Sequence, residues 1–379
     1  MATCSRPLFA SASSASPSRA SPRRLGTVIA KPPPLSVYAT RPSLKLPRWY
    51  FTSALTEENL LFLEAWRAVD RAYYDKSFNG QSWFRYRENA LRNEPMNTRE
   101  ETYAAIKKML STLDDPFTRF LEPEKLKSLR EVWYARGPEG SSVDLSIRSG
   151  ANIRHVVLAR QTVTLNPVRS RMCEIPGAKD SSKIGYIKLT TFNQNAAESV
   201  KEAIKTLRDS NVKSFVLDLR NNSGGLFPEG IQIAKIWMDK GVIVYICDSQ
   251  GVRDIYEADG ADTIAASEPL VVLVNKGTAS ASEILAGALK DNKRAVVYGE
   301  PTYGKGKIQS VFGLSDGSGL AVTVARYETP AHTDIDKVGV IPDRPLPSSF
   351  PTEEDAFCSC LRDPTAACNL NAAQLFTRS

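Results

Sequence analysis

From Ile184 onward the chain alternates apolar, β-branched runs with stretches of helical periodicity, and this alternation restricts its fold more than any other feature. The runs are Ile184–Leu189, Phe215–Leu219, Val242–Ile246, Leu270–Val274 and Ala295–Tyr298. Between them, Ala196–Leu207, Gly230–Met238 and Ala279–Leu289 carry helical spacing. A strand that returns through a helix to another strand makes a crossover unit, so the predicted class is α/β, with helices flanking a sheet. Two further runs, Ile308–Phe312 and Leu320–Tyr327, flank Asp316-Gly317-Ser318-Gly319, whose turn chemistry predicts a hairpin.

Ahead of this body the pattern is helical. Thr56-Glu57-Glu58 supplies an N-cap and first-turn acids for a helix with Phe62, Trp66, Val69 and Tyr73 on one face. Thr98-Arg99-Glu100-Glu101 is the capping box of a second, which carries Tyr103, Ile106, Leu110 and Leu113 and stops at Asp114-Asp115-Pro116. With 379 residues and 42% apolar content, two or three domains are expected.

The net charge of +7 suggests an anionic partner until its position is considered. Residues 1–55 hold eight Lys or Arg and no acid, which leaves 41 basic against 42 acidic residues in the rest. The body is near neutral, so no nucleic-acid partner is expected. The Ser-, Pro-, Ala- and Arg-rich start, without an apolar core, reads as an organelle transit peptide rather than a plain basic tail. No 18-residue apolar stretch predicts a spanning helix. Cys358, Cys360 and Cys368 crowd the C-terminus at a spacing that matches no zinc pattern. They are expected either to be reduced or to close one small disulfide loop.

The chemistry concentrates in PLVVLVNKGTASASEILAGALKDNKRAVVYGEPTYGKGKIQS, where a buried-type strand runs through a Gly-Thr-Ala turn into a helix headed by Ser280. A serine there is a helix cap or turn residue by type alone. At a helix start, however, unbonded N–H groups favour developing negative charge, so the N–H of Ala281 can hold an oxyanion beside a nucleophilic Ser280. The hydroxyl then needs a base. His155 lies far before the core, and His332 with Asp334 leaves a histidine triad open. The alternative is a lysine, which serves as a base only when neutral and so requires an environment that disfavours its charge by about 4 kcal/mol. Lys305, between Gly304 and Gly306, sits on a backbone that can pack closely. Lys290, Lys293 and Lys307 are read as solvated surface lysines.

These residues carry a resemblance to the carboxy-terminal processing peptidases, particularly the plant chloroplast type. It spans the helical region from Leu55 to Leu129, with LDDPFTRFLEP, and nearly everything from Gly137 onward, including LDLRNNSGG, TASASEI, GEPTYGKG and GVIPD. The resemblance implies a Ser/Lys serine endopeptidase with Ser280 as nucleophile, Lys305 as base and Gln309 orienting the lysine. Lys305 and Gln309, four apart, share a face of an extended strand, but so does Lys307. A second oxyanion donor is implied at Gly224 or Gly225. Glu283 and Asp291 are at best supports behind the site. No metal or organic cofactor is implied. The implied substrate is the precursor of the photosystem II reaction-centre core protein, trimmed before the manganese cluster assembles. The implied state is a monomer, with any thylakoid contact peripheral.

The same resemblance marks two departures. The family carries a PDZ domain, and here Leu129-Arg130 passes through Glu131–Ala135 straight into Arg136–Ile147, which resembles only that domain's last turn and strand. The expected division is therefore a leader over 1–52, a helical domain over 53–129, a truncated PDZ remnant over 130–148, a crotonase-like α/β protease core over 149–350 and a cysteine-containing tail over 351–379. A catalytically silent form or scaffold is the alternative. The family implies the thylakoid lumen, yet Lys45-Leu46-Pro47-Arg48-Trp49-Tyr50 stands where a lumenal signal would end, and no such signal is legible.

Overall fold

The computed structural model describes residues 55–134, 138–150, 152–161, 165–174, 183–346, 350, 351, 353–362, 375 and 376. The leader expected over 1–52 and Cys368 lie outside the described residues. Three helices open the described residues: α1 (Glu57–Ala72), α2 (Trp83–Asn93) and α3 (Arg99–Ser111). The expected caps are formed, since Thr56 Oγ1 accepts the Asn59 N–H at 3.1 Å and Thr98 Oγ1 the Glu101 N–H at 3.2 Å. The sequence reading missed α2 because only Trp83 and Ala90 of it are buried, too few to show a period. Strand β1 (Arg119–Leu121) and helix α4 (Pro123–Tyr134) follow.

Strands β2 (Ser142–Ser149) and β3 (Asn152–Ala159) pair with each other along their whole length as a two-stranded sheet. The boundary expected at 148/149 therefore falls inside a hairpin. A strand belongs with its hydrogen-bonding partner, so Ser142–Ser149 forms one unit with Asn152–Ala159. Ile147, Ile153, Val157 and Leu158 on this hairpin are exposed.

The remaining elements are β4 (Val168–Glu174), β5 (Lys183–Leu189), α5 (Ala196–Asp209), β6 (Ser214–Asp218), α6 (Phe227–Trp237), β7 (Gly241–Asp248), β8 (Gly251–Ala258), β9 (Leu270–Val274), α7 (Ala281–Asp291), β10 (Val296–Gly299), β11 (Lys307–Gly313), β12 (Gly319–Glu328) and α8 (Glu354–Arg362). The central sheet has the order β10-β9-β6-β5-β4, parallel except for β4. Its parallel strands are largely buried on both faces, which explains their apolar runs, whereas the antiparallel edge strand β4 is mostly exposed. Alternate residues face opposite layers: Leu217 and Val272 pack under α5, α6 and α7, while Val216 and Val271 pack against α8. The region read as a tail thus supplies one layer of the core through Phe357 and Leu361. A disulfide between Cys173 and Cys358 joins β4 to α8 across 185 residues, in place of the expected small loop or free thiols. Chain proximity in sequence suggested the wrong partner.

A second, antiparallel sheet runs β1-β12-β7-β8, with β11 also paired to β12 as the predicted hairpin. The helical region packs on it: Phe62, Trp66, Ile106 and Leu110 share a cluster with Leu320 and Val322 of β12. No described helix is long and apolar enough to cross a membrane.

Candidate active site

The site forms where the parallel strands β6 and β9 end, the place where sheets of this kind bind ligands. After β9 the chain turns through Thr278 and Ala279 into α7, with Ser280 at the N-cap. Ser280 has φ 60° and ψ −119°, a backbone that a non-glycine residue holds only when its surroundings enforce it. Asn222 is one enforcer. Its carbonyl accepts the Ala279 N–H at 3.0 Å and the Ser282 hydroxyl at 2.9 Å, and its amide donates to Leu189 O at 2.8 Å. Thr278 Oγ1 adds a bond to Leu219 O at 2.9 Å.

Gly224 presses directly on this turn. A Cβ on it would lie 2.7 Å from Ala279 O and 2.8 Å from Ser280 Cβ, so only glycine fits. Its N–H is committed to Asn222 Oδ1 at 2.9 Å. Its carbonyl accepts the Phe192 N–H at 3.1 Å, and across a trans peptide the Gly225 N–H therefore points away from Phe192. Of the two glycines the resemblance implied, Gly225 is thus the one whose donor is available to pair with the Ala281 N–H, the first of α7.

Lys305 is delivered by the loop between β10 and β11. A Cβ on Gly304 would fall 2.9 Å from the Lys337 backbone, and one on Gly306 would fall 2.6 Å from Asp336 N. Both glycines that flank Lys305 are therefore required by close packing. Glu283 ties this loop to α7. Its fully buried carboxylate accepts four bonds: Thr302 Oγ1 at 2.6 Å, Gly304 N–H at 2.7 Å, Ser280 N–H at 2.7 Å and Lys305 N–H at 3.0 Å. Burial pushes its pKa above the ordinary carboxylate range, although those donors pull the other way. Glu283 is thus a clamp between the backbones of Ser280 and Lys305, more than the helix-dipole partner its position suggested. Tyr327, which donates its hydroxyl to Lys305 O, holds the loop from beneath.

Ser280, Ala281, Lys305 and Gln309 line one cavity of about 390 Å³. Its other wall is apolar, with Phe227 edge-on to Tyr256 at 5.1 Å and Ile284 beside them. The register of β11 slips between Ile308 and Gln309, which sets Gln309 opposite Thr323 of β12.

Of four other candidates, Asp291, His332 and His155 stay out of the cavity, while Lys307 lines it but is ion-paired. Asp291 closes the far end of α7, ten residues and about 15 Å along the helix from Ala281, and accepts the Ala331 N–H at 3.0 Å. Lys307, read as a surface lysine, is buried in an ion pair with Asp115 at 3.3 Å and Asp336 at 3.2 Å. Burial opposes its charge, but Tyr74 and the two acids raise its pKa above the usual lysine value. His332 meets Glu328 Oε2 at 3.1 Å and stacks on Tyr245, and His155 lies on the exposed face of β3 beside Ser146. Neither histidine lines the cavity that holds Ser280.

Residues 183–346 match peptidase family S41. Carboxyl-terminal-processing peptidase 2, chloroplastic, of Arabidopsis thaliana is 64% identical over 397 residues, which cover 88% of this chain and 76% of the relative. C-terminal processing peptidase, chloroplastic, of Tetradesmus obliquus is 46% identical over 379 residues, covering 81% of this chain and 82% of the relative. The solved structure of a photosystem II D1 C-terminal processing protease superposes with a TM-score of 0.68 at 45% identity, over 83% of this chain and 100% of that one. The 397 aligned positions exceed the 88% of 379 residues that this chain contributes, so several tens of positions of the Arabidopsis relative have no counterpart here.

Proposed function

This chain belongs to peptidase family S41, among the carboxyl-terminal-processing serine peptidases, and from that membership we propose that Ser280 and Lys305 perform its hydrolysis. The observation that carries the assignment is the shared cavity, with Glu283 bonded to the backbone of both residues. Lys305 takes the Ser280 proton as Oγ attacks the scissile carbonyl carbon. The N–H groups of Ala281 and Gly225 hold the oxyanion. Collapse expels the amine, which receives the proton from Lys305, and leaves an acyl-enzyme. Water, deprotonated by Lys305, then attacks the acyl carbon, and the acid leaves as Lys305 returns that proton to Ser280 Oγ. Gln309 orients the lysine throughout.

The substrate in this reading is a precursor protein with a C-terminal extension, specifically the photosystem II core protein precursor, and the setting is the chloroplast, in its thylakoid lumen. The relatives' names and the extent of the similarity support both. The domain division follows the same reading: a helical domain, a PDZ remnant ending at Ala159, a core of crotonase-like type and a C-terminal segment that packs on it. A second reading, a silent form without its substrate reader, is favoured by one observation: the β2–β3 hairpin stands as a two-stranded sheet, too little for a PDZ fold.

The deciding experiment measures cleavage of a fluorogenic peptide ending in a free carboxylate, together with fluorophosphonate labelling. Ser280→Ala and Lys305→Ala are expected to abolish both while unfolding at the native temperature. Lys305→Arg is expected to fail equally, since guanidinium does not give up its proton. Near-normal turnover by any of them removes the Ser/Lys mechanism, and a native chain that neither cleaves nor labels establishes the silent form.

A further inference from the structure

The LDDPFTRF stretch of the helical region has so far no part in the chemistry, yet the structure brings it to the back of the base. Asp115, Phe117 and Thr118 lie between α3 and β1. The ring of Phe117 stands 6.0 Å from Lys305 Nζ. The Asp115 side chain is almost wholly buried, at 1% exposure, and its Oδ2 accepts two hydroxyls, Thr118 Oγ1 at 2.7 Å and Thr323 Oγ1 at 2.6 Å. Thr118 Oγ1 in turn accepts the Thr323 N–H at 3.0 Å. Thr323 Oγ1 also meets Gln309 Nε2 at 3.5 Å, a long contact of the kind that tightens when substrate arrives.

The polarity of this chain of bonds is determined. An ionised carboxylate only accepts, so the single proton of the Thr323 hydroxyl is committed to Asp115. What the hydroxyl offers on its other side is a lone pair. Gln309 must then present its NH₂ to Thr323 and turn Oε1 toward the cavity, where it can accept from the Lys305 amine. We infer that Asp115 and Thr323 are positioning residues for the base, fixing through one hydroxyl which end of the Gln309 amide faces Lys305. This rests on the reading of Lys305 as base and Gln309 as its orienting partner. It also gives the register slip between Ile308 and Gln309 a purpose, because without it Gln309 would not face Thr323. The helical region thereby contributes to the site itself.

The test uses the full chain and the same fluorogenic peptide. Thr323→Val keeps the shape and removes the relay. It is expected to lower kcat roughly tenfold with KM unchanged, and Thr323→Ser to restore it. On a Gln309→Ala background, Thr323→Val is expected to cost nothing further, because the group it orients is gone. Additive losses, or a native kcat in Thr323→Val, overturn the inference. A failure of the underlying reading looks different: Lys305→Ala or Gln309→Ala would itself retain activity. A second measurement does not need turnover. In the native protein the Gln309 side-chain amide, assigned by its loss in Gln309→Ala, is expected to give a shifted, slowly exchanging pair of ¹H–¹⁵N resonances. Thr323→Val should move them to the positions of a solvated glutamine, and unchanged resonances overturn the inference even in a chain that cleaves nothing. Asp115→Asn should invert the amide, but it also strips Lys307 of a counter-ion, so Thr323→Val is the deciding variant.

Discussion

Replacing Glu283 with glutamine removes a charge and almost no volume, and the structure sets what should follow. One carboxylate oxygen takes Thr302 Oγ1 and Gly304 N–H, and the other takes Ser280 N–H and Lys305 N–H. An amide has one acceptor oxygen, so two donors would face an NH₂ group instead. Two bonds to a charged acceptor, at about 1.5–3 kcal/mol each, are lost, and the relief of burying a charge returns part of that. A net of about 3 kcal/mol remains, and since it acts on the spacing of Ser280 and Lys305, kcat is expected to fall roughly a hundredfold. The pH profiles should separate the clamp from a general loss of fold. Because burial raises the Glu283 pKa, the folded chain takes up this proton above the ordinary carboxylate range. The group therefore stabilises the fold most fully below that ordinary range, and its contribution is lost as pH rises through the raised value. Activity runs the other way, declining as pH falls through that value and the clamp loses acceptor capacity. Glu283→Gln should lack this acid limb. The measurement is kcat and KM on the fluorogenic peptide against pH, beside thermal unfolding. A variant that keeps kcat within about twofold across the pH range refutes the clamp.

Two more expectations bear on the fold around the site. Ser280→Gly should unfold at a higher temperature than Ser280→Ala, by the equivalent of about 1 kcal/mol, because glycine accepts φ 60° and ψ −119° without strain; equal melting would show that no strain is held there. Cys173→Ala with Cys358→Ala should lower stability in urea by at most about 5 kcal/mol, the chain-entropy value for a loop closed across 185 residues; a loss below about 1 kcal/mol would mean that the other contacts of α8, among them the disulfide at Cys360, already hold it.

The fold was legible wherever a buried face repeats. β9 was read to the residue, and α5, α6 and α7 within a few residues of their ends, because β-branched runs and helical spacing report burial directly. The hairpin of β11 and β12 was legible from Asp316 to Gly319, whose carboxylate and small residues make the turn. What escaped had no such period. α8 shows little more than cysteines in the sequence, and it becomes a core layer only because Phe357 and Leu361 find the face of the sheet opposite α5, α6 and α7. β3 carries exposed apolar residues, so its run says nothing about which sheet it joins.

The site divides along the same line. Ser280 and Ala281 are fixed locally, by a strand, a turn and a helix start, and local order is what a sequence displays. Lys305, between two glycines, is legible as a candidate, yet parity leaves Lys307 as its rival, and only distant acids separate them. Asp115 and Asp336 hold Lys307 in an ion pair, and those residues lie 192 positions before it and 29 after it in the chain. Glu283 was visible, but its four donors come from three separate residues of the 302–305 loop and from Ser280, so its role as a clamp has no sequence signature. The same holds for Asn222 beneath the serine turn. A nucleophile can be read from one segment, whereas a base is a relation among several. The lysine proposed as base is the one that Asp115 and Asp336 do not hold.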